Sequence, residues 1–540
     1  MFWADKAADE TVARYKHIIA SGEPLIVRDE KTASGRVHVG SLRSASLHAL
    51  VYETLRERNI PATFLFELND FDPMDGLPTY LDRDTYLPHM GKPLYTIPAP
   101  DGSSANFAEY YGREYLEVME EVGFIPRVYR ASELYRSGRM NELIKVAIEK
   151  RDLIRKIYKE ESGSDKPDTW YPLNVICEQC GKLSTTSITS FDGEMASYIC
   201  RVNAVDWTEG CGHEGTISPF NGNAKFQWKV DWAAKFVANG VHFEGGGKDH
   251  YTKGGSRQVA NRIAKEVFLY QAPYGIANEF FLVGGAKMSS SKGAGASARE
   301  IADLLPPHML RLLLIKADIG RQINIDPEGD TIPLLFDYYD KIATKYWAAE
   351  THGQVTEGDG GLHDDDTRVF QKTHLVSDTE LLKQRFLPRF SQIAFLVQMP
   401  HLDTVKEVEA MKGSALTEAD LKEIALREAY AKTWLTTCAP EQFRFVLQET
   451  VPENAYELTD SQKGALSAAY DALAAVGEWN GETIHAALHG VKESSGISPK
   501  DFFTPFYRML LGKDSGPKLG WFLSTLSKDM VLSRIATITG

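Results

Sequence analysis

Two short apolar runs constrain the fold more than any other feature. Residues 24–27 (Pro-Leu-Ile-Val) and 62–68 (Ala-Thr-Phe-Leu-Phe-Glu-Leu) have the length and side-chain character of buried strands. Between them, residues 42–58 space their apolar positions as a helix does. Strand, helix, strand in this order opens a parallel α/β sheet, because only a crossover returns the chain in the same direction. In such sheets ligands gather beyond the carboxyl ends of the strands. The turn Gly35-Arg36-Val37-His38-Val39-Gly40-Ser41 follows the first run, and Asn69-Asp70-Phe71-Asp72 follows the second. His38, Asp70 and Asp72 are therefore expected to converge on one crevice.

The rest of the chain divides by texture. Proline and glycine dominate residues 73–102, an irregular excursion, and residues 105–159 read as helical. Four cysteines follow between Cys177 and Cys211, and α/β signals return over 227–292. The cysteine segment thus reads as an insertion between two halves of one nucleotide domain. From Ile301 onward helical periodicity prevails, with helices expected over 381–397, 419–437, 460–476 and 517–526. Residues 353–367, rich in glycine and aspartate, read as a linker. At 540 residues the chain exceeds what one core can bury, so several domains are expected.

A net charge of −14 excludes indiscriminate coating of nucleic acid, because the overall field repels phosphate. A local basic face is compatible with it. Residues 136–159 are the candidate, and a solvated helix explains them equally well. No apolar span reaches membrane length and the N-terminus lacks a signal-peptide layout, so a cytoplasmic location is expected. Cys438 stands alone in a helical stretch, as a small core residue does.

Three separated segments carry the chemistry of a nucleotide site. A glycine before a helix lets backbone N–H groups approach phosphate, with favourable partial charge from the helix end. His38 in that turn can donate to an α-phosphate, and Gly40 leaves room for the adenosine. In Gly245-Gly246-Gly247-Lys248-Asp249-His250, Asp249 can accept from ribose hydroxyls while Gly247 permits close packing. The third is Lys287-Met288-Ser289-Ser290-Ser291-Lys292-Gly293, whose lysines and hydroxyls can surround a polyphosphate. Cys177-Glu178-Gln179-Cys180, Cys200 and Cys211-Gly212-His213 have the character of a zinc ribbon, since paired thiolates satisfy tetrahedral Zn2+. Free buried cysteines are the alternative, and His213 is an alternative to Cys211 as the last ligand.

Taken together, these segments resemble the class I aminoacyl-tRNA synthetases. His38-Val39-Gly40-Ser41 is similar to their HIGH signature, with serine last, and Lys287-Met288-Ser289-Ser290-Ser291 to KMSKS, with Ser290 at the second lysine. The closer resemblance is to class I lysyl-tRNA synthetases, on Thr32-Ala33-Ser34-Gly35, Phe226-Gln227-Trp228-Lys229-Val230-Asp231-Trp232, Gly247-Lys248-Asp249-His250, Gly254-Gly255-Ser256, Phe506-Tyr507-Arg508 and Gly512-Lys513-Asp514-Ser515-Gly516-Pro517. It covers nearly the whole chain.

The resemblance implies a multidomain α/β plus all-α protein. Its Rossmann-like parallel-sheet catalytic domain would occupy residues 1–170 and 221–300, interrupted by a zinc-ribbon-like module at 171–220. A connecting segment at 301–370 would lead to a helical anticodon-binding region at 371–540. It also implies ATP with Mg2+, L-lysine and tRNA(Lys) as reaction partners, giving a lysyl-adenylate that the terminal ribose of the tRNA attacks. His38, Lys287 and Lys292 would be catalytic. His38, Gly40, Ser41, Gly247, Asp249, Lys287, Ser289, Ser290 and Lys292 would bind ATP, with Lys292 supplying the charge absent at Ser290. A lysine pocket needs walls for an apolar stem and a carboxylate for its tip. Trp228 would line the stem, Asp231 or Asp70 would meet the ammonium group, and Ser34 and His250 would lie near the amino acid. Cys177, Cys180, Cys200 and Cys211 would hold a structural zinc. The rivals are a class I synthetase for glutamate or arginine, a small-molecule nucleotidyltransferase, and a non-catalytic RNA-binding protein.

Overall fold

The computed structural model describes residues 1–286, 296–351, 365–374, 379–399 and 401–540. The chain forms two compact units. One is Met1–Ile325 with Lys341–Lys383, and the other is Asp326–Asp340 with Gln384–Gly540.

The first apolar run begins β1 (Leu25–Thr32), which continues through four charged residues, and the second is β2 (Ala62–Asn69). They pair in parallel from Leu25↔Ala62 to Thr32↔Asn69, joined by the helix Ser41–Glu57. A third parallel strand, β3 (Arg127–Arg130), pairs with β2 from Leu65↔Arg127. On the other side of β1, Val27 bridges Phe243 and Phe243 bridges Tyr274, both parallel. The order β3-β2-β1 followed by the segments around Phe243 and Tyr274 is that of a Rossmann-like sheet, which reverses direction of growth beside β1. Val27, Phe64, Phe66, Leu68 and Phe243 are buried, as central parallel strands covered on both faces require. The Ser41–Glu57 helix is buried on most of its circumference, and its fully buried Arg43 caps carbonyls of Leu314, Ala317 and Asp318.

The cysteine segment folds as a three-stranded antiparallel sheet of Thr186–Phe191, Ala196–Cys200 and Glu214–Ile217. Its stem is an antiparallel pair, Leu173–Val175 with Ala224–Phe226, so the chain enters and leaves side by side, as an insertion must. The helices expected over 419–437 and 460–476 are Glu418–Thr437 and Asp460–Ala474, each opened by a capping box. The one expected over 517–526 shortens to Leu519–Ser524.

Three expectations need correction. Residues 105–159 are not all helical, since β3 lies among them. Residues 381–397 are not one helix: a short turn at Thr379–Leu382 and the helix Phe390–Leu396 flank non-helical residues 383–389, where Pro388 cannot continue a helix. Of the linker read at 353–367, residues 353–364 lie outside the described residues, and Asp365, Asp366 and Thr367 form the first turn of the helix Asp365–Thr373.

A candidate nucleotide and amino-acid site

A cavity of about 340 Å3 opens at the carboxyl end of β1, where the sheet order reverses. Period-two alternation splits β1 between two sides of it. Asp29 and Lys31 face the Ser41–Glu57 helix, where Asp29 accepts from the Ser44 hydroxyl at 3.0 Å. Arg28 and Glu30 face the helix Trp228–Asn239, which contributes Lys235.

On the first side lie His38, Gly40, Ser41 and Ser44. The turn at His38 is held from behind: Val39 N–H donates to the Ala296 carbonyl and Ala298 N–H to the Val37 carbonyl. The amides of Ser41, Leu42 and Arg43 donate to the carbonyls of His38, Val39 and Gly40. The amides of the first three helical residues are thus engaged within the turn itself. Burial, and then the charge of Lys31, push the His38 pKa down to about 3, so its imidazole is neutral at physiological pH.

The opposite side is aromatic and acidic. The Trp228 and Trp232 rings stack at 5.8 Å between centroids, and His250 meets each edge-on at 5.5 Å. Trp232 donates its indole N–H to Glu244. Behind this wall, the fully buried Arg28 bonds Glu30, Glu67 and Glu244, while Lys235 bonds Glu30, Glu67 and Asp231. Lys225 joins Asp231 to Asp72. Five carboxyl groups (Glu30, Glu67, Asp72, Asp231, Glu244) face three cations in this network, and burial raises the pKa of Glu244. Burial opposes ionisation of Glu30, but Lys235 and Arg28 outweigh it and hold its pKa at about 2. Gly247 and Asp249 line the cavity as well, and a Cβ at Gly247 would meet nothing within 4 Å. Gly245 is anchored by His48, whose Nε2 accepts the Gly245 N–H at 2.8 Å while Nδ1–H donates to the Ser44 carbonyl.

Of the residues singled out from the sequence, His38, Gly40, Ser41, Trp228, Gly247, Asp249 and His250 line this one cavity. Ser34, Asp70 and Asp231 do not. Asp70 is turned to Ser132, accepting from its N–H at 2.8 Å and its hydroxyl at 2.5 Å. Asp231 is buried between Lys225, Lys235 and the Tyr135 hydroxyl. Neither carboxylate is brought to the wall; the acids that line the cavity beside it are Glu30 and Glu244. Lys287, Ser289, Ser290 and Lys292 lie outside the described residues. Sequence reasoning missed Asp29, Glu30, Lys31 and Glu244. The signal for the first three was there: a strand that turns from apolar to four consecutive charges at its carboxyl end.

In the inserted module the sulfurs of Cys177, Cys180, Cys200 and Cys211 all lie within 4.8 Å of one another. Cys177 and Cys211 are 3.6 Å apart, Cys180 and Cys200 3.7 Å. A tetrahedral Zn2+ with bonds of about 2.3 Å sets its sulfurs about 3.8 Å apart, so the set fits zinc. Cys211 makes the fourth corner, while His213 packs edge-on to Tyr198 at 6.0 Å. Of the basic residues of 136–159, Lys145, Arg155, Lys156 and Lys159 pair with local acids, while Arg139 and Lys150 donate to backbone carbonyls and Arg136 and Arg151 lie over tyrosine rings.

Residues 1–360 match the family described as tRNA synthetases class I (K), and residues 394–539 match one described as Anticodon binding domain. The sequence is 33% identical to a protein of Methanosarcina barkeri (strain Fusaro / DSM 804) named Lysine--tRNA ligase, over 98% of this chain and 96% of that one. A protein of the same name from Thermoplasma volcanium is 31% identical over 100% of this chain and 99% of its own. Another from Methanocaldococcus jannaschii is 30% identical over 99% of each.

Proposed function

The chain belongs to the tRNA synthetases class I (K), a family of lysine–tRNA ligases, and we propose that the cavity beside β1 is where it activates L-lysine. The lysine carboxylate attacks the α-phosphate of ATP, giving lysyl-adenylate and pyrophosphate. The 3'-terminal ribose of tRNA(Lys) then takes the lysyl group from the adenylate. Positioning and charge stabilisation carry most of such a reaction. The neutral His38 donates a hydrogen bond to the α-phosphate, Gly40 and Ser41 border the nucleotide, and Asp249 accepts from the ribose over the open face of Gly247. Lys287, Ser289, Ser290 and Lys292 take the β- and γ-phosphates. Support for this comes from Ala296 and Ser297, four and five residues after Lys292 in the sequence, which pair with the His38 turn. Mg2+ accompanies the ATP.

The observation that carries lysine is the aromatic wall of Trp228, Trp232 and His250 beside the carboxylates of Glu30 and Glu244. Rings cover the four-carbon stem, and the ionised Glu30 meets the ammonium tip. The four cysteines hold a structural Zn2+ that braces the inserted module. The domain division proposed is 1–170 and 221–300 for catalysis, 171–220 for the module, 301–370 for the connection and 371–540 for the anticodon. No described helix is long and apolar enough to cross a membrane, and a cytoplasmic location belongs to the same proposal.

Pyrophosphate exchange into ATP tests the reading, measured with L-lysine, L-glutamate or L-arginine, each with and without tRNA(Lys). Exchange is expected with lysine. Exchange with either other amino acid and none with lysine would overturn it.

A further inference from the structure

Among the described residues lining the cavity, Lys31 is the one lysine or arginine, against the carboxylates of Asp29, Glu30, Glu244, Asp249 and Glu279. A wall of that sign repels a triphosphate unless cationic charge offsets it. Much of the acid is already engaged. Glu30 and Glu244 bond Arg28, Asp29 accepts from Ser44, and Glu279 pairs with Lys248 at 2.7 Å. Lys31 has no ion-pair or hydrogen-bonding partner for its ammonium among the described residues. Burial lowers its pKa and the charge of Asp29 offsets only part of that, so the ammonium is incompletely compensated. Its charge reaches His38, because it contributes to the depressed pKa of that imidazole. The amides of Ser41, Leu42 and Arg43 already donate within the turn.

We propose that Lys31 binds the phosphate chain of ATP, its ammonium meeting the α-phosphate beside His38 at the carboxyl end of β1. This rests on the reading of the cavity as the ATP site. Charge on β1 then sorts the two substrates: the Lys31 face takes the anion, and the Glu30 face takes the cation. Replacing the ammonium by an isosteric apolar group should therefore weaken phosphate binding and spare the nucleoside.

Calorimetric titration of the full-length wild type, Lys31→Met and Lys31→Arg with ATP, and separately with adenosine, tests this. Lys31→Met is expected to weaken ATP binding by about tenfold to a hundredfold, the value of one charge-assisted hydrogen bond, and to leave adenosine binding unchanged. Lys31→Arg should keep most of the preference for ATP over adenosine. Adenosine binding reports at the same time that the variants are folded. Unchanged ATP affinity in Lys31→Met would overturn the proposal, and so would an equal loss for ATP and adenosine, which would make Lys31 a structural residue. Lysine-dependent exchange by the wild type is measured alongside. A wild type that binds ATP through Lys31 but exchanges with no lysine would sink the lysine reading and leave the phosphate role standing.

Discussion

At the scale of single residues, the cavity holds a neutral histidine beside a lysine. A neutral imidazole can donate to phosphate through one nitrogen without carrying a charge into a buried site. The His38 pKa of about 3 lies below its usual 6.5, so the unfolded chain takes up a proton that the folded protein refuses. Stability contributed by His38 is therefore full above about pH 6.5 and is lost as pH falls toward 3. In Lys31→Met the His38 midpoint should rise, though not to 6.5, because burial is the larger of its two causes. Imidazole resonances followed by NMR between pH 3 and 8 would read this directly, and an unmoved midpoint would mean that the two groups do not sense each other. The sequence announced His38, Gly40, Asp249 and His250, because glycines and a histidine in turns stand out against their neighbours. It hid Glu30 and Lys31, because charged residues in a strand usually mark a solvent-facing edge. Only the sheet order, with β1 central and its carboxyl end opening on the cavity, gives them another meaning.

Secondary-structure elements set the floor of the cavity through close backbone approach. A Cβ on Gly275 would lie 1.9 Å from the Glu244 carbonyl, and one on Gly245 would lie 2.8 Å from the Ile276 carbonyl. Backbone cannot swing aside as a side chain does, so Gly275→Ala must push apart the segments that carry Glu244 and Gly245. Overpacking of this kind costs about 1–3 kcal/mol. The variant should melt lower and show a raised KM for lysine, since Glu244 borders the aromatic wall. An unaltered melting temperature would show that the two segments separate freely. The cysteine module carries a separate prediction. Its strands are short, and its four thiols lie within 4.8 Å of one another. One equivalent of zinc per chain is expected by elemental analysis, and Cys200→Ser should lose both the metal and the module's resistance to proteolysis. A metal-free protein with an equally resistant module would end that assignment. Cysteine spacing made the module legible, whereas β3 was not, because Arg127-Val128-Tyr129-Arg130 is too short to show a period between two helices.

For the whole molecule, the sequence suggested that the chain turns helical from residue 301 onward, after an α/β part with an insertion, and the two compact units divide that helical part differently. Helical periodicity cannot reveal which unit a helix serves. Segment 326–340 belongs with Gln384–Gly540, while Lys341–Lys383 returns to the unit of the parallel sheet. The division falls inside one helix, Thr331–Thr351. Within its unit, Phe336 stacks on Phe390 at 4.2 Å, Arg427 lies over the Phe336 ring at 5.2 Å, and the Tyr339 hydroxyl accepts from Arg385 at 2.7 Å. No single cut therefore yields two intact units. A fragment ending at residue 383 would keep the sheet and the cavity but strip the cover from Ile332, Leu335, Phe336 and Tyr339, all buried in the full chain. A fragment ending at residue 325 would lose Lys341–Lys383, and with it the Lys372–Glu57 and Arg368–Asp5 ion pairs. The longer fragment should self-associate in sedimentation velocity and bind a hydrophobic dye, because exposed apolar patches of that kind seek cover. Replacing Phe336 and Leu335 by serine in the fragment should return it to a monomer. A monomeric, dye-silent 1–383 without those substitutions would show that the helix across the division melts when its partners are removed. Circular dichroism would then report the helix lost.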